Sequence, residues 1–213
     1  MDESNPLDVL AYKYGTDKRS GKSNFVSHYF RRFGHIRNDV RKMLEIGVDR
    51  GGSIKMWADF FPNASIHGID IMKSTLANAG GRITIDLLNQ ESKIELKSFI
   101  AKRGGDFDII IDDGGHTMTQ QINSFEALWP EIKNGGFYVI EDVETSYRSK
   151  YINSTPTAIE YFKSTIDDIN LSKTAAPDQL RHSRQEEPYL YTQKTILSIE
   201  FLKNIIFIQK KFK

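Results

Sequence analysis

The 213-residue sequence predicts a single α/β domain: a mostly parallel, seven-stranded sheet with helices on both faces and a C-terminal antiparallel β-hairpin. Three observations predict it. Short apolar runs, rich in β-branched and aromatic residues and bounded by glycines and acids, have the pattern of strands buried on both faces. Stretches of helical spacing separate them, so successive strands join through right-handed βαβ crossovers. Near the C-terminus, Thr195–Phe201 and Ile205–Gln209 alternate apolar with polar around Lys203-Asn204, as a hairpin does.

The elements follow in order. Leu7–Tyr14 reads as a short helix stopped at Gly15, inside the polar turn Tyr14-Gly15-Thr16-Asp17-Lys18. Phe25, Tyr29, Phe30 and Phe33 recur at helical spacing, which predicts a leading helix packed on the sheet. Met43–Val48 is the first strong strand, followed by Asp49-Arg50-Gly51-Gly52-Ser53 and a helix over Ile54–Phe61. Glycines in such a joint let a ligand approach the backbone, and the helix start offers free N–H groups. The spacing is not Gly-x-Gly-x-x-Gly, so the dinucleotide fingerprint is imperfect.

Strand Ser65–Ile69 ends at Asp70, where an acid can accept hydrogen bonds from ribose hydroxyls. Arg82–Ile85 ends at Asp86, and helix Glu91–Lys102 follows. Phe107–Ile111 runs into Asp112-Asp113-Gly114-Gly115-His116; a helix over Thr119–Ile132 leads to Phe137–Ile140 and then Glu141-Asp142. A helix over Pro156–Ile169 precedes the polar stretch Lys173–Pro188, which is long enough to expect a substrate loop over 173–188.

Ligands of open α/β sheets bind at the carboxyl ends of the strands, so Asp112, Asp113, Glu141, Asp142 and His116 should converge. Acids after strands also cap helices and decorate turns. Two such clusters on neighbouring strands, with a histidine in reach, weigh against that plainer reading. Massed carboxylates are costly unless neutralised, and a hard divalent ion with oxygen ligands does so.

Composition removes other classes. Lys+Arg 29 against Asp+Glu 28 leaves a formal net charge of +1 and no electrostatic case for nucleic acid. Without cysteine there are no disulfides, thiolate metal sites or cysteine nucleophiles. The start of the chain lacks a signal-peptide core and no run is long enough to span a bilayer. The expectation is a cytoplasmic protein without a membrane partner, as a monomer or a homo-oligomer.

Glu45-Ile-Gly-Val, Gly51-Gly-Ser-Ile-Lys-Met-Trp, Gly68-Ile-Asp70-Ile, Ile111-Asp-Asp-Gly-Gly-His116 and Tyr138-Val-Ile-Glu-Asp142 then resemble a known family. They are similar to class I S-adenosylmethionine-dependent methyltransferases of the macrocin/mycinamicin sugar O-methyltransferase type, some relatives being labelled cephalosporin hydroxylase-like. Thr145-Ser-Tyr147, Tyr14-Gly-Thr-Asp-Lys18 and Ser198-Ile-Glu-Phe with Asn204-Ile extend the resemblance over nearly the whole chain. It lacks the long N-terminal auxiliary region of some macrolide enzymes, and Gly115 stands where the family often has Ser.

The resemblance implies a Mg²⁺-dependent (or Mn²⁺-dependent) O-methyltransferase acting on a small-molecule or glycan acceptor with adjacent hydroxyls. Asp113, Glu141 and Asp142 would hold the metal, and His116, with Asp113, would do the catalysis. Gly47 and Gly51 would admit S-adenosylmethionine, with Glu45, Ser53 and Thr16 at its methionine end. Asp70 would hold the ribose and Asp86 the adenine edge, while Asp112 would lie in the cofactor pocket, lie behind the metal, or be structural. Residues 1–40 would cover the cofactor within one catalytic domain over 1–213. The alternatives are a nicotinamide-dependent oxidoreductase, a catechol-type phenol methyltransferase, an Fe(II) hydroxylase and a non-catalytic binding protein. The first lacks a use for the acid cluster, and the third usually wants two histidines and a carboxylate.

Overall fold

In the computed structural model, which describes residues 1–170 and 189–212, helices α1 (Pro6–Tyr14) and α2 (Phe25–Phe33) precede the sheet. Then come β1 (Lys42–Ile46), α3 (Gly52–Phe60), β2 (Ser65–Asp70), β3 (Ile83–Leu87), α4 (Lys93–Arg103) and β4 (Phe107–Asp112). They are followed by α5 (Met118–Leu128), β5 (Ile132–Glu141), α6 (Ala158–Asn170), α7 (Tyr189–Thr195), β6 (Ile196–Leu202) and β7 (Ile205–Lys210). One seven-stranded sheet has the order β3-β2-β1-β4-β5-β7-β6. Strands β1 to β5 pair in parallel; β7 enters antiparallel beside β5, and β6 pairs with it as a hairpin. The predicted fold class is observed.

Strand alternation sorts the core into two layers. Met43, Ile109, Ile111 and Val139 meet the leading helices and α3, whereas Leu44, Ile46, Ile110, Tyr138 and Ile140 face the layer of α4, α5 and α6. Burying each such side chain contributes about 1.5–3 kcal/mol. Helix α1 starts where Asn5 accepts from the amides of Leu7 and Asp8, with Pro6 pre-set for the first turn, and stops at Gly15 with φ +70°. The packing expected of α2 is observed, since Phe25, Tyr29 and Phe33 are buried.

Two boundaries differ from expectation by more than two residues. The α5 helix ends at Leu128 rather than Ile132, because Pro130 lacks the amide that continues a helix, and Trp129–Glu131 forms a tighter turn. Strand β5 begins at Ile132 and carries Gly135 and Gly136 inside it, Gly135 at φ +80°, so those glycines make an irregularity and not a fence. The 173–188 stretch lies outside the described residues.

The chain leaves β1 toward β2 on one side and reaches β4 on the other, so strand order reverses there. That switch opens a crevice at the carboxyl ends of β1 and β4, where Ile46 stands level with Asp112. Among the described residues, no helix is long and apolar enough to cross a membrane.

Candidate active site

A cavity of about 800 Å³ occupies this crevice. It runs from the turn at Lys13–Asp17 and the Gly47–Ser53 loop, past Asp70 and Leu88–Gln90, to Asp113, His116 and Asp142. Thr16, Gly47, Gly51, Ser53 and Asp70 all line it, as do three of the predicted catalytic and metal residues.

The glycine loop has a specific backbone need. Gly47 sits at φ +86°, and a Cβ there would lie 2.1 Å from the carbonyl oxygen of Asp113. The loops after β1 and β4 can touch only if residue 47 has no side chain. Asp70 then ties the loop down: one oxygen accepts from the Val48 and Asp49 amides at 2.8 and 3.1 Å, the other from Met72 at 2.8 Å.

The paired acids divide by strand parity. The first of each pair ends its strand and is buried, Asp112 and Glu141 each at 1% exposure; the second lies past the strand and faces the cavity. Asp112 points to the α5 side, accepting from Gln90 Nε2 at 3.0 Å and the Tyr138 hydroxyl at 3.2 Å. Burial raises its carboxyl to about 7 despite these bonds. Gln90 also accepts from the Gly115 amide at 2.8 Å, so it fixes the loop that carries His116.

Glu141 points to the opposite side, where it accepts from the Tyr29 hydroxyl and from Lys18 Nζ at 2.6 Å. Lys18 is 1% exposed and also donates to Asp113 Oδ2. Burial pulls the Lys18 pKa down, but the charges of Asp113, Glu141 and Glu45 outweigh it and hold the ammonium well above its usual range. Burial, then the Asp113 charge, pushes Glu141 up, with Lys18 and Tyr29 offsetting part.

On the cavity side, Asp113, His116 and Asp142 each present one ligand atom within 4.8 Å of the others. His116 Nε2 lies 3.5 Å from Asp142 Oδ2 and 3.9 Å from Asp113 Oδ1, while its Nδ1 is buried without a partner among the described residues. Burial and the Asp113 charge raise the Asp142 carboxyl, with His116 opposing. The arrangement can hold a hard cation and accept a proton side by side.

Three placements differ from expectation: Glu141, expected as a metal ligand, is buried against Lys18 and Tyr29 and does not line the cavity, and Asp86 and Glu45 are displaced as follows. Asp86 does not line the cavity: it lies inside β3, points toward α4 and is ion-paired with Lys102 at 2.6 Å and Arg103 at 2.8 Å. Its parity turns it across the sheet face, so the adenine-edge assignment is corrected. Glu45 lies beneath the cavity, with Oε1 accepting from Trp57 Nε1 at 3.0 Å and Oε2 buried without a partner among the described residues. Lys18 and Tyr29 carried no predicted role. The first stands in the quoted Tyr14–Lys18 motif; the second was read only as packing, because a phenol that both packs and donates leaves one periodic signal.

Burial raises Glu45 from 4.5 to about 7. Its folded value exceeds its unfolded one, so its stabilising contribution is complete below about 4.5 and is lost as pH rises through about 7. The ligand-free protein is expected to melt lower at pH 8 than at pH 5.5, with a flatter slope in Glu45→Gln. Thermal melts across that range check it; equal slopes would mean that Glu45 titrates alike in both states.

Residues 44–143 match the family model described as a methyltransferase domain. An L-olivosyl-oleandolide 3-O-methyltransferase from Streptomyces antibioticus is 36% identical over 182 residues, covering 79% of this chain and 47% of that protein. The mycinamicin VI 2''-O-methyltransferase of Micromonospora griseorubida is 33% identical over 217 residues, covering 96% and 52%. The solved structure of MycE methyltransferase from the mycinamycin biosynthetic pathway, in complex with Mg, SAH and mycinamycin VI, aligns with TM-score 0.81 at 33% identity. That alignment covers 97% of this chain and 54% of that one. The chain spans about half the length of the curated relatives it matches.

Proposed function

We propose that this chain is a methyltransferase domain of the macrocin and mycinamicin sugar O-methyltransferase type, and that it methylates a hydroxyl of a sugar or glycosylated acceptor. S-adenosylmethionine is the donor, Mg²⁺ or Mn²⁺ the metal and His116 the general base. The observation that carries this is one continuous cavity joining the glycine loop to the Asp113–His116–Asp142 cluster.

At the cofactor end, the Gly47–Ser53 backbone lies open to a methionine moiety and Asp70 borders the ribose position. Glu45, raised to about 7 by burial beneath the cavity, would ionise against an α-ammonium group through Oε2, which has no partner among the described residues. S-adenosylmethionine contributes an electrophilic methyl group. Residues 1–40 act here as a cover, through the Lys13–Asp17 lining.

The residues present fit a hard divalent ion. The donor set is rich in oxygen, and Asp142 is held protonated to higher pH by burial and then by the Asp113 charge, which a cation would offset. Asp113 and Asp142 would hold it, with Glu141 behind them. When bound, Mg²⁺ would orient adjacent hydroxyls and favour their ionisation. His116 Nε2, on the same side of the site, takes the hydroxyl proton, and the loop fixed by Gln90 keeps the imidazole aimed. Holding both substrates in one cavity supplies much of the rate.

The test is a thermal-shift comparison of S-adenosylhomocysteine with NADH, followed by transfer of a labelled methyl group to glycosylated acceptors and to a catechol. Stabilisation by S-adenosylhomocysteine and labelling of the glycoside are expected. Stabilisation by NADH alone would sink the reading; labelling of the catechol alone would move the acceptor to phenols.

Asp70→Ala tests the cofactor end. It removes the acceptor for three amides as well as the ribose partner, so S-adenosylhomocysteine affinity is expected to fall at least about tenfold, about 1.4 kcal/mol, with the fold retained. Unchanged affinity by calorimetry would remove Asp70 from the site.

A further inference from the structure

Lys18 is a buried cation with no part in the chemistry above. Its Nζ joins Asp113 Oδ2 to Glu141 Oε2, and Glu141 is held from behind by Tyr29, itself fully buried against Trp57, Phe33 and Phe207. Asp113 therefore splits its oxygens: Oδ2 goes to the ammonium, and Oδ1 faces His116. Two of the three acids read as metal ligands thus already share one ammonium of the chain. Lys18 lies two positions after Thr16, on the turn that lines the cofactor cavity.

We propose that Lys18 is a resident counter-cation that opposes the divalent ion: it holds Asp113 and Glu141 in the ion's absence and weakens the ion's binding when both are present. The inference rests on the metal reading above. An ammonium on a four-carbon stem can withdraw from one carboxylate while its backbone stays in place, so the two cations can share these oxygens unequally. Any cation near Asp113 also feels the ammonium charge across a short, water-poor gap. The consequence is a metal that exchanges with solution instead of being locked in.

Manganese titration followed by electron paramagnetic resonance, which reads free Mn²⁺ directly, tests this without turnover. Lys18→Met is expected to bind Mn²⁺ at least about tenfold more tightly than the unmodified chain, since a charge repelling a divalent ion at short range is removed. Lys18→Arg, which keeps the charge, should bind within a few-fold of it. Lys18→Gln, neutral but hydrogen-bonding, repeats the measurement should the methionine variant fail to fold, and melting curves with and without Mn²⁺ report the fold. Tightening that disappears when Asp113→Asn is added supports the proposal. Binding in the unmodified chain that is lost in Asp113→Asn, but is unchanged or weaker in both neutral Lys18 variants, overturns it and leaves the metal site standing. Absence of Mn²⁺ binding in every form overturns the metal reading and this inference together.

Discussion

Chelation of divalent cations is expected to stop methyl transfer, and Mg²⁺ or Mn²⁺ to restore it. The cavity-facing side of the cluster carries Asp113 and Asp142 with only His116 opposite, while Lys18 serves the inner side. Left without a cation, that side keeps a charge the surroundings already resist, as the raised Asp142 carboxyl shows. An acceptor hydroxyl is a poor nucleophile at neutral pH, and loss of the metal's assistance corresponds to several kcal/mol, so the rate should fall by about 10²-fold or more. Asp142→Asn should reproduce much of this loss with S-adenosylhomocysteine affinity unchanged, because Asp142 follows β5, two strands across the sheet from β1 and its glycine loop. Rates in EDTA, after metal add-back and in the variant check it. Full activity in EDTA would leave Asp113 and Asp142 as groups that position the histidine.

The sheet and the place of the site were legible because both follow from short-range rules. Apolar runs of strand length, glycine joints and acids just past the strands mark the carboxyl edge, and the order of strands brings those edges together. What was hard to read is which way each acid points. Counting along β4 and β5 settles it in retrospect: Asp112 shares parity with Ile110 and faces the α5 layer, while Glu141 shares parity with Val139 and faces the leading helices. The same count explains Asp86, which follows the buried Ile85 and so turns to Lys102 and Arg103. Lys18 could not be placed by any such rule. Its turn has no periodicity, and its partners Asp113 and Glu141 are 95 and 123 residues away in sequence.

His116→Ala is expected to lower the single-turnover rate of methyl transfer by about 10²–10⁴-fold, the range for loss of a general base. The residue sits in the left-handed region at φ +59°, which costs about 1–2 kcal/mol for a side chain of this kind and is held there by the Gln90 bond to Gly115 and the threonine cap of α5. An alanine would meet the same backbone demand, so the melting temperature should change little. What the substitution removes is Nε2, the ring atom that faces Asp113 and Asp142. If that atom accepts the proton, Mn²⁺ and S-adenosylhomocysteine affinities should stay near those of the unmodified chain, and raising the pH should restore part of the rate as the acceptor ionises without help. If it is a metal ligand instead, as its distance from both acids also permits, Mn²⁺ binding should weaken and excess metal should recover the rate. Single-turnover rates across pH at saturating Mg²⁺, beside a Mn²⁺ titration of the same variant, separate the two. A near-normal rate in the folded variant would end the general-base assignment, because no other imidazole among the described residues lines the cavity.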